Sequence, residues 1–197
     1  MPRQPSEQDW PLRTARLSIR RATEADLEAT WQFRRLAEVC EWLTLDASDK
    51  EEYTARYLSE SRLSKTLIVE LDEQVIGDLM LAIDDAWAQV EVAEEARNTQ
   101  AELGWVIAPE HAGNGYATEA AGELLRFCFE DLGVRRVGAQ CFADNAASWK
   151  LMERLGMRLE VRARKESLHR SGTWQDSLSY AILAEEWREL QHGRKGA

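Results

Sequence analysis

The hydrophobic and polar positions of the chain resolve into short periodic segments. Leu12 to Arg20 alternates, with Leu12, Leu17 and Ile19 apolar and Arg16, Ser18 and Arg20 polar, which predicts a strand. Thr23-Glu24-Ala25-Asp26 opens a helix with Thr23 as N-cap and acidic residues in its first turn, and Leu27 and Trp31 carry it to about residue 38. Ser48-Asp49-Lys50-Glu51 reads as the capping box of a second helix, through about Ser61, with Tyr53, Tyr57 and Leu58 as its apolar stripe. Thr66 to Leu71 and Val75 to Ile83 are apolar, β-branched strands joined by a hairpin turn at Asp72-Glu73-Gln74. Gly77 inside the second of them predicts a bulge or a close backbone approach. Asp84 to Gln100 is acidic, with Trp87, Val90 and Val92 interspersed; a strand extension and a loop excursion both fit it. Ala101 to Ala108 is a short strand ended by Pro109.

The strongest periodic segment comes next. Between Gly115 and Leu132, Ala117, Ala120, Ala121, Leu124, Leu125, Cys128 and Leu132 make one apolar helix face. Glu119, Glu123, Arg126 and Glu130 make the opposite stripe, and Gly133 is the stop. Val134 to Phe142 is a strand. Asn145 to Leu155 is a helix capped by Asp144 or Asn145 and closed by Gly156. Met157 to Leu168 and Gly172 to Leu183 alternate as two strands, and Ala184 to Gln191 is a polar terminal helix. The order is βααββ followed by βαβαββ. It predicts an α/β (α+β) fold: a mixed central sheet of about seven strands flanked by roughly four or five helices. The expected organisation is a flexible lead-in at 1–11, a single domain at 12–191 and a tail at 192–197.

Composition narrows the function classes. At 197 residues with 44% hydrophobic content the chain can bury a substantial core. No run approaches the roughly 20 apolar residues of a membrane span, so no membrane partner is expected. The formal net charge of −10 argues against nucleic acid as a partner. A protein this negative must hold an anionic ligand locally, with backbone dipoles and a few cations, and its surface favours a cationic substrate or serves solubility alone. Cys40, Cys128 and Cys141 show no Cys-x-x-Cys spacing and sit in apolar surroundings. They read as buried free thiols in a reducing compartment, hence a cytoplasmic location, and with no ligand pair among His111, His169 and His192 no metal is expected.

The candidate chemistry centres on Ala112-Gly113-Asn114-Gly115-Tyr116-Ala117, between the apolar run Leu103 to Ala108 and the long amphipathic helix. Strand, glycine turn, helix is an arrangement for holding an anion: the glycines allow close backbone approach, and the first helical N–H groups point at the ligand. Two templates are excluded. A P-loop needs Gly-Lys-Ser/Thr at its end, and here Tyr116 and Ala117 follow Gly115; a dinucleotide fingerprint needs a third glycine where Thr118 stands. A tight strand-to-helix turn without a ligand is the remaining alternative.

The segment resembles the acyl-CoA pyrophosphate loop of the GNAT superfamily of N-acetyltransferases, whose pattern is Gln/Arg-x-x-Gly-x-Gly/Ala. Here it falls on Ala112, Gly115 and Ala117, with Gly113 between. Thr118-Glu119-Ala120 resembles the ribosomal-protein N-terminal acetyltransferase (RimJ/RimL-like) branch. Glu102 to Ile107 is similar to the strand before that loop. Asn145-Ala146-Ala147-Ser148 with Leu155-Gly156-Met157 is similar to the helix that follows, and Gly172 to Asp176 with Tyr180 to the final hairpin. The likeness spans roughly Leu12 to Leu183. It departs at Ala112, where the family's Gln or Arg would add a side-chain contact, so the grip falls to the backbone N–H groups of Gly113 to Thr118.

The resemblance implies the GNAT fold and transfer of an acetyl group from acetyl-CoA, with no metal, to a primary amine. That amine is a protein N-terminus or, alternatively, a small amine, amino acid or antibiotic; a non-catalytic acyl-CoA sensor is the other alternative. Val106 and Ile107 would polarise the thioester through backbone N–H groups. Glu102 is the candidate base and also reads as an exposed strand-end carboxylate. Ser148 is the candidate acid or thiol-positioning group, since the helix tyrosine used by many relatives is absent between Asn145 and Leu155. Asn145 pairs with it along the pantetheine arm and also reads as a plain N-cap. Asn114, Tyr116 and Ala117 complete the cofactor set, with Tyr116 packing beside the cofactor. Trp31, Trp42, Trp174 and Asp176, with Glu41, would wall the acceptor groove; the tryptophans also read as core packing. The terminal hairpin could support a homodimer.

Overall fold

The computed structural model describes residues 1–195. Its strands are β1 (Leu12–Arg13), β2 (Ser18–Arg21), β3 (Thr66–Leu71), β4 (Gln74–Asp84), β5 (Gln100–Ile107), β6 (Arg136–Phe142), β7 (Arg158–Leu168) and β8 (Trp174–Leu183). Its α-helices among the described residues are α1 (Leu27–Arg34), α2 (Ala37–Cys40), α3 (Lys50–Tyr57), α4 (Glu60–Leu63), α5 (Tyr116–Arg126), α6 (Ala146–Arg154) and α7 (Ala184–Lys195). The strands follow the sheet order β1-β2-β3-β4-β5-β6-β8-β7, one 8-stranded sheet. β5–β6 is parallel, whereas β1–β2, β2–β3, β3–β4, β6–β8 and β7–β8 are antiparallel. The expected mixed α/β architecture is therefore present.

The chain divides into two compact units, with boundaries inside β4, β5 and α5. One comprises Ser6–Leu81 and Gly104–Glu123; the other comprises Met1–Pro5, Ala82–Leu103 and the chain from Leu124 onward.

In the Ser6–Leu81/Gly104–Glu123 unit, the expected strand from Leu12 to Arg20 is two strands. The Thr14–Leu17 turn separates them, closed by Thr14 N donating to Leu17 O at 2.9 Å and Leu17 N to the Thr14 hydroxyl at 2.9 Å. The expected first helix is broken at Arg35 and Leu36, giving α1 and α2. Asp49, rather than Ser48, caps α3, accepting from the N–H groups of Glu51 and Glu52 at 2.8 and 3.0 Å. That helix ends at Tyr57, short of Ser61, and a separate turn, α4, follows. The β3–β4 turn holds Asp72 and Glu73 at φ of 48° and 66°, as a two-residue hairpin of right-handed twist requires. Gly77 is the expected close approach: a Cβ there would sit 2.4 Å from Val106 O and 2.7 Å from Ile107 Cδ1. Buried Tyr53, Tyr57, Ile68, Ala22, Cys40 and Ala47 form one core cluster, against which Leu27 and Trp31 pack.

In the other unit, Leu124, Leu125, Cys128 and Leu132 are buried, as the apolar face between Gly115 and Leu132 predicts, together with Val137, Met152 and Ile182, although past Arg126 the helix becomes a π-turn over Phe127–Asp131. Burial pushes the Cys128 thiol up to about 12. Asp84 to Gln100 is neither wholly strand nor wholly loop: β4 runs to Asp84, and Val90–Ala96 forms a 3-10 turn. α7 runs to Lys195, past Gln191, so the expected tail is helical through that residue; 196–197 lie outside the described residues. Trp187 seats α7 against the Phe129 ring, 5.9 Å between centroids. Residues 1–5 are held here, Arg3 N donating to Leu132 O at 3.1 Å and Gln4 Nε2 to Ile83 O at 3.2 Å. Glu7 pairs with Arg21 at 2.7 Å in the first unit.

Candidate active site

The glycine loop follows from what precedes it. Pro109–His111 turns the chain out of β5, with His111 N bonded to Ala108 O and Ala112 N to Pro109 O at 2.9 and 3.0 Å. Gly113 and Gly115 then take φ of 79° and 81°, left-handed values that a side chain resists. The Asn114 amide donates to the carbonyls of His111 and Ala112, 3.2 Å each, which fixes their direction. The first helical bond of α5 is Glu119 N to Gly115 O at 3.0 Å. The N–H groups ahead of it, through Thr118, therefore have no carbonyl within the helix. Ala112 to Gly115 are solvent-exposed, and no Cβ-sized obstacle lies at Gly113. The result is an open cradle of backbone donors at the positive end of an 11-residue helix.

Two further residues, Arg16 and Glu119, border this loop, and the sequence placed neither of them in the site. The Arg16 guanidinium sits 4.5 Å above the Tyr116 ring and donates from Nη1 to Asn114 O at 3.1 Å. It also pairs with Glu119 at 2.6 Å. Glu119, expected on the solvent stripe of α5, instead also accepts from the Thr14 hydroxyl at 2.5 Å and from Arg16 N at 3.0 Å. About a hundred residues separate Arg16 from the loop, and no local pattern connects them. The phase slip between Leu12 and Leu17 is the one available hint, because strict alternation cannot place both on one face.

Val106 is buried and Ile107 half-buried on β5. Trp31 donates its indole N–H to Ala47 O at 3.0 Å and carries Lys50 at 4.4 Å and Arg35 at 5.0 Å over its ring. Trp42 is half-buried between α2 and α3.

The other unit holds the remaining candidates. Glu102 is an exposed residue of β5 opposite Gly138 of β6, the last pair of a ladder that begins at Gln100↔Arg136. Asn145 is the N-cap of α6, accepting from Ser148 N at 3.2 Å, so its capping role is realised. Burial raises the Cys141 thiol, and the neighbouring Ser148 hydroxyl opposes the rise. Cys141 is only half-buried, unlike Cys40 and Cys128, and all three are free. Tyr180 is buried and donates to Glu153 Oε1 at 3.2 Å. Asp176 accepts from Lys165 N at 3.0 Å and pairs with Arg162 at 3.4 Å, which holds its carboxyl below the usual range and locks the β7–β8 hairpin. Trp174 is exposed in an open groove with Lys165 and Thr173.

A strand, a glycine turn and a helix N-terminus in succession are an arrangement suited to an anion. The family model of the acetyltransferase (GNAT) domain matches residues 16–158. The uncharacterized N-acetyltransferase YoaA of Bacillus subtilis is 30% identical over 180 residues, covering 87% of this chain and 96% of that protein. The uncharacterized N-acetyltransferase YnaD of the same species is 38% identical over 86 residues, 44% of this chain; the match spans about half of that relative, 50% of its length. RimL, a ribosomal-protein alpha-N acetyltransferase solved in complex with coenzyme A, shares the fold with a TM-score of 0.71 at 18% identity, over 86% of this chain and 95% of that one. The chain belongs to the GNAT acetyltransferase family.

Proposed function

We propose that this protein transfers an acetyl group from acetyl-CoA to a primary amine, and that the amine is a protein N-terminus. The observation that carries this reading is the loop from Gly113 to Thr118, which holds two left-handed glycines and leads into the first turn of α5, in a chain of the GNAT family. It suits a pyrophosphate without the side chain that Ala112 lacks. The likeness to RimL favours the N-terminal acceptor and the RimJ/RimL-like branch, and three free cysteines favour the cytoplasm.

The amine must be neutral to attack the thioester carbon. An N-terminal amine, with a reference pKa near 7.7 to 8, meets that demand more easily than a lysine near 10.4. Val106 and Ile107 N–H groups polarise the carbonyl, Glu102 takes the amine proton directly or through water, and the departing CoA thiolate is protonated from Ser148 or a water it holds. Asn145 fixes the first turn that carries Ser148. Trp31 and Trp42 in one unit, and Trp174 and Asp176 in the other, are the proposed acceptor contacts.

Thiol release from acetyl-CoA against a panel of N-terminal peptides, lysine peptides and small amines tests the reading. N-terminal peptides are expected to give the highest kcat/KM. Binding without release across the panel identifies an acyl-CoA sensor instead. Ser148→Ala and Glu102→Gln are each expected to lower kcat roughly tenfold or more with little change in acetyl-CoA affinity. Wild-type turnover in both variants removes these assignments and leaves the family intact. β7 is an edge strand with Leu159 and Val161 exposed by 47% and 50%, which supports a homodimer; a monomer by sedimentation at micromolar concentration refutes that.

A further inference from the structure

Glu119 poses an electrostatic problem for the loop. It lies in the first turn of α5, where the free amides and the helix dipole favour one negative charge. Partial burial works against its ionisation, but the bonds from Thr14 and Arg16 outweigh it, and the carboxyl is held below its ordinary range. It is an anion at neutral pH, and it competes for the positive end of α5 with any phosphate in the cradle.

Arg16 lies where that competition can be cancelled. Its Nε and Nη2 face Glu119 Oε2 at 2.7 and 2.6 Å, a two-pronged contact. Its Nη1 holds the Asn114 carbonyl at 3.1 Å, between the two left-handed glycines. A Cβ at Gly115 would be 3.6 Å from its Nη2, so the guanidinium borders the cradle itself. The arginine is in turn fixed from below. The Thr14 hydroxyl accepts from Leu17 N at 2.9 Å and donates to Glu119, and Arg16 N donates to the same carboxylate. The turn that interrupts the first predicted strand therefore delivers a cation to the loop.

We infer that Arg16 is a positioning residue for the phosphates of the acyl-CoA: it neutralises Glu119 and braces the Asn114 carbonyl, so that the amides from Gly113 to Thr118 meet the ligand as a net positive surface. This rests on reading the loop as an acyl-CoA site and deepens that reading. The cation that an arginine at position 112 would bring is supplied from another element, although its first effect is to cancel a carboxylate. The arrangement makes the affinity depend on the balance of two charges, and either partner can be changed alone.

Calorimetric titration of the full chain with coenzyme A separates the outcomes, in four proteins: wild type, Arg16→Gln, Glu119→Gln and the double variant, each with a thermal melt. Arg16→Gln is expected to raise Kd roughly tenfold at low salt, by exposing the phosphates to an uncompensated carboxylate, and less at high salt. Glu119→Gln alone should bind within about threefold of wild type or tighter, and the double variant should return to within about threefold of wild type. A double variant as weak as Arg16→Gln overturns the charge argument, since the loss then comes from the broken brace. Unchanged affinity in Arg16→Gln overturns the inference outright. Arg16→Lys keeps the charge and covers the case in which Arg16→Gln does not fold; its affinity should lie nearer wild type than to a tenfold loss, and a tenfold loss would count against the inference. Wild type that fails to bind coenzyme A sinks the loop reading itself, a result distinct from all of these.

Discussion

Gly115→Glu is expected to abolish acyl-CoA binding, with a loss on the order of a hundredfold or more in affinity. Two causes act together. Gly115 has φ of 81°, and any side chain there resists the left-handed backbone by about 1 to 2 kcal/mol. The larger cause is the carboxylate. Its Cβ would stand 3.6 Å from Arg16 Nη2. The new anion would pair with that guanidinium and with the free amides at the head of α5, the groups proposed to meet the phosphates. It would be a permanent, covalently tethered competitor. Gly115→Ala separates the causes: it carries the backbone cost without the charge and should weaken binding far less. Calorimetry with coenzyme A gives both values. Wild-type affinity in Gly115→Glu would remove the loop from the cofactor site whatever the family.

How much of this was legible in the sequence depends on how local each signal is. The loop was legible because everything that makes it lies within a few residues: an apolar strand, two glycines and an amphipathic helix in succession. The succession of strands and helices along the chain could be read for the same reason, since turn residues and periodicity are neighbours. Arg16 was not legible. Its partners Asn114 and Glu119 are 98 and 103 residues away, and a polar residue in an alternating strand looks like any solvent-facing position. Asp49 was misplaced by one residue because Ser48 fits a capping box equally well on paper. The asparagine at 145 was legible as an N-cap, and Ser148 was placed beside it correctly, because both follow from helix geometry. The Arg34–Asp78 pair was missed for a more general reason. A charged side chain is assigned to the surface by default, and only the folded partner shows that Arg34 is inside.

That pair carries the second large prediction. Arg34 of α1 meets Asp78 of β4 through two parallel bonds, Nε to Oδ2 at 2.6 Å and Nη2 to Oδ1 at 2.5 Å. The side chains are 7% and 2% exposed. Burial alone would lower the guanidinium's affinity for its proton, but the Asp78 charge and bonds outweigh it and hold Arg34 above its ordinary value. The surroundings are committed to this geometry: the Cys40 thiol donates to Arg34 O at 2.8 Å, and buried Tyr53 donates to the Thr30 hydroxyl at 2.9 Å. Asp78→Ala leaves a buried cation with nothing to balance it, and is expected to cost about 3 to 5 kcal/mol of folding stability. For a chain of this size that corresponds to a fall in Tm of roughly 10 °C. Replacing both partners with apolar residues of similar volume, Arg34→Met with Asp78→Leu, removes the charges together and should cost markedly less than Asp78→Ala alone. Denaturant unfolding of the three proteins measures the difference. A loss under about 1 kcal/mol in Asp78→Ala would mean that water reaches Arg34 in solution; a double variant less stable than Asp78→Ala would mean that the pair, and not only the avoidance of a lone charge, holds α1 to β4.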